Sequence, residues 1–350
     1  MTAALSPARW LLLPWHAAQI LTGRKSFAGN QILGSETLNR RGLHVWRTRL
    51  AHALADRRRA RLAHLVSEGD REDFRRDGFV CRPDFLPPDR FQALTEQLAA
   101  LAVPAREMRE GDAVTRRIAV TPALLRQAPA LRDLLESPTW RGLTRYVGSF
   151  DTEPMVYIQT IFAKADPGSA EDPQTSLHID TFHPTMKAWF FLHDVADDEG
   201  PLTYVAGSHR LTPRRLAWQK RRSVEATRAG AGSKGGAFRL DARELPRLRW
   251  PAARRFAVRG NTLVVGDTGG LHARAYSPKA TVRVEIYAYS RPAPFNPLTR
   301  SGPYSIPAIG RRQVGVYYAL HDLLVPLRLM RRTWRRTPPV SPTAPRPEWD

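Results

Sequence analysis

The chain has 350 residues, 42% of them hydrophobic and 25% charged, with a net charge of +21. Those proportions are near the globular average, which excludes a chain disordered throughout and leaves ample length for a core. One cysteine, Cys81, excludes an intramolecular disulfide and fits a reducing compartment.

Residues 9–21, "RWLLLPWHAAQIL", are apolar but short and broken by Pro14. No convincing cleavage site follows, so the segment is expected to pack on the fold or lie at a membrane surface. No apolar run is long enough to span a bilayer, and a cytoplasmic location follows, with peripheral membrane association as an addition to it. Residues 35–66 predict one long helix capped by Ser35, with Leu43, Trp46, Leu50, Leu54 and Leu62 as its apolar stripe. Residues 73–101 predict a short helix, a strand, a turn and a helix opened by Pro88. Further helices are predicted around 122–136 and 138–147.

Beyond residue 150 the pattern turns to short strands bounded by Gly, Pro, Asp or Asn: 153–165, 175–180, 187–195, 202–209, 261–267, 271–276 and 281–290. Such a set predicts a sandwich or barrel. Residues 210–260 interrupt it with 15 Arg or Lys against 3 Asp or Glu, directly after 151–200, which hold 2 against 10. The basic insertion reads either as a solvated surface or as an electrostatic funnel for an anion. Its glycine-rich middle, 230–236, makes it a candidate lid. Residues 316–336 are amphipathic and basic, as at a membrane surface, and the Pro-rich end, 335–350, is expected to be disordered.

The chemistry centres on "TSLHIDTFH", residues 175–183. Alternation along a strand puts His178 and Asp180 on one face. "GDTGGLHARAY" supplies His272 after a tight turn. Two histidines and a carboxylate with open positions opposite are the ligand set of non-haem Fe(II) oxygenases, zinc being the chemical runner-up. In "TVRVEIYAY", Arg283, Glu285, Tyr287 and Tyr289 share a face. An inward arginine needs an anion, and a dicarboxylate such as 2-oxoglutarate would reach both the metal and Arg283. Glu285 is expected to pair with an arginine, with Arg274 the candidate. His209 reads as a turn-stabilising residue, and no spacing recommends His183 or His193 as ligands.

The order H-x-D, "GPLTYVAGSH", "GDTGGLH", then an arginine 11 residues on, resembles the phytanoyl-CoA dioxygenase family of Fe(II)/2-oxoglutarate oxygenases. "DGFVCRPDFLPPDRFQAL" upstream is similar to that family's N-terminal region, and the resemblance spans roughly residues 73–291. It implies a mainly β fold with flanking helices, a double-stranded β-helix (jelly-roll, cupin-like) core behind an α-helical N-terminal extension. It also implies iron on His178, Asp180 and His272, with Arg283 on the 5-carboxylate of 2-oxoglutarate. Trp189, in "KAWFFL", and Gln159 are further candidates beside the co-substrate, and Arg274 is a fallback for its carboxylate. Ile179, Ala206 and Arg274 depart from the usual pattern, while the presence of Asp180 disfavours the related halogenases.

The expected domains are a basic helical extension at 1–72, an oxygenase domain at 73–300 carrying the insertion 210–260, and a basic helix with a Pro-rich tail at 301–350. The expected function is hydroxylation of a small or lipid-linked anionic substrate, using Fe(II), 2-oxoglutarate and O2 and releasing succinate and CO2. The alternatives are a nucleic-acid oxidative demethylase, for which Trp218, Phe238 and Trp250 would have to stack on bases, and a non-catalytic polyanion- or membrane-binding module.

Overall fold

The computed structural model describes residues 11–164, 170, 172–228, 230, 232–300, 302–330 and 333–345. Residues 9–10, 231, 331–332 and 346–350, within segments discussed above, lie outside the described residues.

The core is two antiparallel sheets. The larger holds eight strands in the order β1 (Phe79–Arg82), β8 (Thr262–Asp267), β5 (Met186–Phe191), β10 (Thr281–Ser290), β4 (Met155–Ala163), β3 (Ala113–Ala119), β2 (Val103–Glu110) and β11 (Arg335–Val340). The smaller holds β7 (Arg254–Arg255), β6 (Leu202–Tyr204) and β9 (His272–Arg274). From β5 to β10 the chain passes back and forth between the sheets, β5, β8 and β10 in the larger and β6, β7 and β9 in the smaller, which is the jelly-roll arrangement expected from the short, turn-bounded strands.

Alternation sorts the side chains of the large sheet. In β10, Val284, Ile286 and Ala288 join the main apolar core with Leu131, Leu134, Trp140 and Leu143 from the helices behind. Arg283, Glu285, Tyr287 and Tyr289 face the other way, into the space between the sheets. Register places Glu285 opposite Gln159 and Phe191, Tyr287 opposite Tyr157 and Trp189, and Tyr289 opposite Lys187.

Five expectations change. After α1 (Leu13–Ala18), the helix over 35–66 is two, α2 (Glu36–Arg40) and α3 (Leu43–Leu62), because Gly42 at φ 101° breaks the backbone between them. Of the expected apolar stripe only Leu62 belongs to the buried face of α3; Leu43, Leu50 and Leu54 are partly exposed. That face is His44, Arg47, Thr48, Ala51, His52, Ala55, Arg58, Arg59 and Leu62, while Trp46 is half exposed. Buried arginines are tolerated there because carbonyl oxygens receive them. Arg47 donates to Ile20, Thr22 and Arg24, and Arg58 donates to Ser149, Pro294 and Asn296.

The basic insertion is not a cover over the site. Its helix, Pro213–Ala226, packs against α2 and α3. Trp218, Phe238 and Trp250 are buried with Phe27, Leu177 and Ile179, so they offer no face to a stacked base. Gly236 runs against the backbone of Lys25, where a Cβ would meet a carbonyl oxygen at 2.2 Å, which ties the glycine-rich stretch down. Residues 335–340 of the expected tail form β11 on β2. Pro338 and Pro339 fit because this is an edge strand, with an irregularity in register beside them. Finally, residues 175–180 are not a regular strand; His178 makes isolated bridges to Arg239 and His272.

Among the described residues, no helix is long and apolar enough to cross a membrane.

Candidate metal centre and its cavity

The H-x-D segment is pinned on both sides by backbone hydrogen bonds. His178 N and His272 N each donate to the other's carbonyl at 3.0 Å, and Asp180 N donates to Thr268 O at 2.9 Å. On the opposite side Ile179 N donates to Phe238 O at 3.0 Å, and Leu240 N to Leu177 O at 2.8 Å. The insertion is therefore a neighbour strand to the motif. Ile179 points into the insertion's apolar cluster, which explains an apolar residue between the two polar ones. The turn before His272 is equally tight: a Cβ on Gly270 would lie 2.0 Å from the Tyr204 hydroxyl, which donates to Asp267 O at 2.7 Å.

Possible ligand atoms of His178, Asp180 and His272 lie within 4.8 Å of one another, and all three residues are buried. Each imidazole has its Nδ1 on a carbonyl oxygen, His178 on Ser176 at 2.7 Å and His272 on Gly270 at 3.1 Å. A carbonyl cannot donate, so Nδ1 carries the proton and each Nε2 keeps a lone pair for a metal. The two Nε2 atoms lie 3.9 Å from Asp180 carboxylate oxygens.

Electrostatics favour the ligand forms. Burial lowers both histidine pKa values, with Lys187 adding to the effect, so both rings are neutral at physiological pH. Burial alone would raise the Asp180 carboxyl. The cationic Lys187 and Arg291 beside it outweigh burial and hold the group well below the usual carboxylate range. Two neutral imidazoles and one carboxylate fit Fe(II).

The triad lines a cavity of about 450 Å³ with Arg117, Gln159, Lys187, Trp189 and Arg283 among its walls. Arg283 is buried and points inward as expected. Glu285 is fully buried too, and its partner is Arg283 itself, with Nε to Oε2 at 3.0 Å. Arg274, the partner and fallback expected from sequence, is instead held by Asp172 at 2.6 Å. Arg283 Nη1 donates to Gly200 O at 2.6 Å, and the residue lines the cavity. Gln159 donates to Glu285 and accepts from Arg117 Nε, both at 2.7 Å, so it links two charged groups. Trp189 is buried beside Tyr287 and lines the same cavity. A larger groove of about 880 Å³ lies between α3 and residues 68–75 and holds none of these residues.

The other histidines stay apart from the triad. His209 packs on Phe74, with Nδ1 against Gly78. His183 bonds Pro184 O, and His193 Nε2 accepts from Val284 N.

Sequence reasoning missed three cations at the triad. Lys187 Nζ lies 2.7 Å from Asp180 Oδ2, Arg291 Nη2 lies 3.0 Å from the same oxygen, and Lys25 Nζ donates to Asp180 O at 2.7 Å. Two were legible: Lys187 is two places before Trp189 on β5, and Arg291 continues the inward alternation of β10. Lys25 carried no signal, since it arrives from a loop 155 residues away.

The sequence model described as phytanoyl-CoA dioxygenase matches residues 74–242. His178 and Asp180 fall within that stretch; His272 and Arg283 lie beyond it. A search of curated proteins finds no match. Similar solved structures include the non-heme alpha ketoglutarate dependent epimerase SnoN from nogalamycin biosynthesis, 20% identical over 65% of this chain and 82% of that one, TM-score 0.41. HygX from Streptomyces hygroscopicus, with nickel and 2-oxoglutarate bound, is 15% identical over 64% and 86%, TM-score 0.38. EctD from S. alaskensis is 14% identical over 64% and 76%, TM-score 0.37.

Proposed function

We propose that the protein is a 2-oxoglutarate-dependent dioxygenase that works with Fe(II) and dioxygen and hydroxylates an anionic small or lipid-linked substrate, a reading supported by the match of residues 74–242 to the phytanoyl-CoA dioxygenase model. The observation that carries this reading is the pair of Nε2 lone pairs, left free by carbonyl-bound Nδ1 atoms, converging with one carboxylate at a cavity wall.

His178, Asp180 and His272 would hold the iron. The bound iron supplies the oxidation of substrate coupled to decarboxylation of the co-substrate. The chain's own residues do the rest. Arg283 would take the far carboxylate of 2-oxoglutarate, with Trp189 and Gln159 shaping the space beside it. Burial of Tyr287, Trp189 and Leu202 keeps that end of the cavity dry.

The lipid-linked option rests on the helix Gln313–Leu324. Val316, Leu320 and Leu323 stand exposed along one face, while Val314 and His321 are buried on the other. Arg312 and Arg328 flank the exposed face, a pattern suited to an anionic membrane surface. This is compatible with a cytoplasmic protein that visits a membrane.

The test is anaerobic titration with Fe(II) and 2-oxoglutarate, followed by the visible charge-transfer band of the chelate and by succinate release. Binding of about one Fe(II) per chain is expected from a single facial triad, with the band and turnover abolished in His178→Ala and Asp180→Ala. Full occupancy and turnover in both variants would remove the assignment.

A further inference from the structure

Lys187, Arg291 and Lys25 crowd one residue that carries a single negative charge. Lys187 lies at hydrogen-bond distance from Asp180 Oδ2 (2.7 Å) and from His272 Nε2 (3.3 Å). Arg291 reaches the same carboxylate at 3.0 Å, and Lys25 reaches the Asp180 carbonyl at 2.7 Å. Around them stand Tyr287, Tyr289 and two neutral imidazoles, and no second carboxylate contacts Lys187 or Arg291 among the described residues.

A metal on the triad draws on the Asp180 carboxylate and on the His272 lone pair. It also adds two positive charges where three already stand. Lys187 would then lose its contact with the His272 lone pair and share the carboxylate with the metal, in a largely buried place, its side chain 15% exposed. Buried cations without a counter-charge are costly. The co-substrate's far carboxylate is assigned to Arg283 on another part of the same wall, so it is not the counter-charge for these groups.

We propose that Lys187, Arg291 and Lys25 form a docking site for the substrate's anionic group, a carboxylate or a phosphate, directly beside the metal triad. The proposal rests on the metal-site reading above and names the part of the site that selects substrate. It moves anion selection from the basic insertion, whose helix lies elsewhere, to three residues on β5, at the end of β10 and in the N-terminal segment. It also makes metal and anion binding mutually reinforcing, each relieving the charge problem of the other.

The experiment uses full-length protein, Mn(II) in place of Fe(II), saturating 2-oxoglutarate, and inorganic phosphate as the probe. Free Mn(II) is read from its electron paramagnetic resonance signal. In the wild type, millimolar phosphate should tighten Mn(II) binding by about three- to tenfold, within the usual range of coupling between sites. In Lys187→Gln and Arg291→Gln the phosphate effect should vanish, and Mn(II) without phosphate should bind more tightly than to wild type. No phosphate effect in the wild type, or an equal effect in the variants, overturns the proposal. An effect that appears without 2-oxoglutarate and disappears at saturation also overturns it, since the cations would then serve the co-substrate's own chelating carboxylate. Loss of the metal-site reading itself shows differently: His178→Ala would bind Mn(II) as well as the wild type does, and the docking site would fall with it.

Discussion

At the scale of single residues, Arg283 is the proposed anchor for the co-substrate, and its ion-pair partner is Glu285. Glu285 is fully buried and opposes a second carboxylate arriving at Arg283. Arg283→Lys keeps the charge but loses the planar fork, so 2-oxoglutarate affinity should fall by about tenfold or more, measured calorimetrically on Mn(II)-loaded protein. Glu285→Gln should act in the opposite direction. It keeps the shape and a hydrogen bond to Arg283 but removes the competing charge, and affinity should rise several-fold. Equal affinity in both variants would place the carboxylate elsewhere in the cavity, with Arg117 the next guanidinium on its wall.

At the scale of elements, the basic insertion and α3 carry the clearest expectations. Neutralising Arg214, Lys220, Arg221 and Arg222 should leave metal and 2-oxoglutarate binding unchanged, because Arg221 and Arg222 face Glu225 and Glu244 on the outer surface. Arg215 differs. It is fully buried, burial holds its pKa down to about 10, and it donates to Ser208 O and Gly269 O, so it braces the turn before His272. Arg215→Gln should weaken metal binding and lower the unfolding midpoint. Arg58→Ala should cost roughly 1–3 kcal/mol or more in denaturant unfolding, the range for leaving buried acceptors unsatisfied, since four backbone and hydroxyl acceptors converge on that guanidinium. The strands were legible because alternation is a local property, and so was the inward face of β10. The buried face of α3 was not. Leucine spacing argues for one face, whereas carbonyls from residues 20–24, 149 and 294–296 select an adjacent, arginine-bearing one that shares only Leu62 with it. Partners that distant leave no trace in a helical window. The insertion was misread for the same reason: glycines suggested mobility, and only the contact with Lys25 shows the stretch held.

At the scale of the whole molecule, burial makes stability depend on pH. His44 and His183 are fully buried, and burial pulls both pKa values down to about 3 from an ordinary 6.5. Between those values the unfolded chain takes up protons that the folded chain refuses, so stability falls as pH drops below about 6.5. Each such group can cost up to about 1.4 kcal/mol per pH unit, and a falling chemical-denaturation midpoint between pH 6.5 and 4.5 is the expected record. A midpoint that is flat over that interval would mean these rings are accessible to protons in the folded chain. The exposed helix face should bind vesicles containing anionic lipid, less so at high salt, and Leu320→Glu with Leu323→Glu should abolish that binding. The bridging of His178 to Arg239 on one side and His272 on the other has a kinetic meaning as well. Segments 61 and 94 residues away in sequence must both reach the motif before the three ligands can converge. Closure of such loops comes late in folding. Iron therefore arrives at a finished pocket rather than seeding one: it should slow the unfolding limb of a chevron plot while leaving the refolding limb where it was.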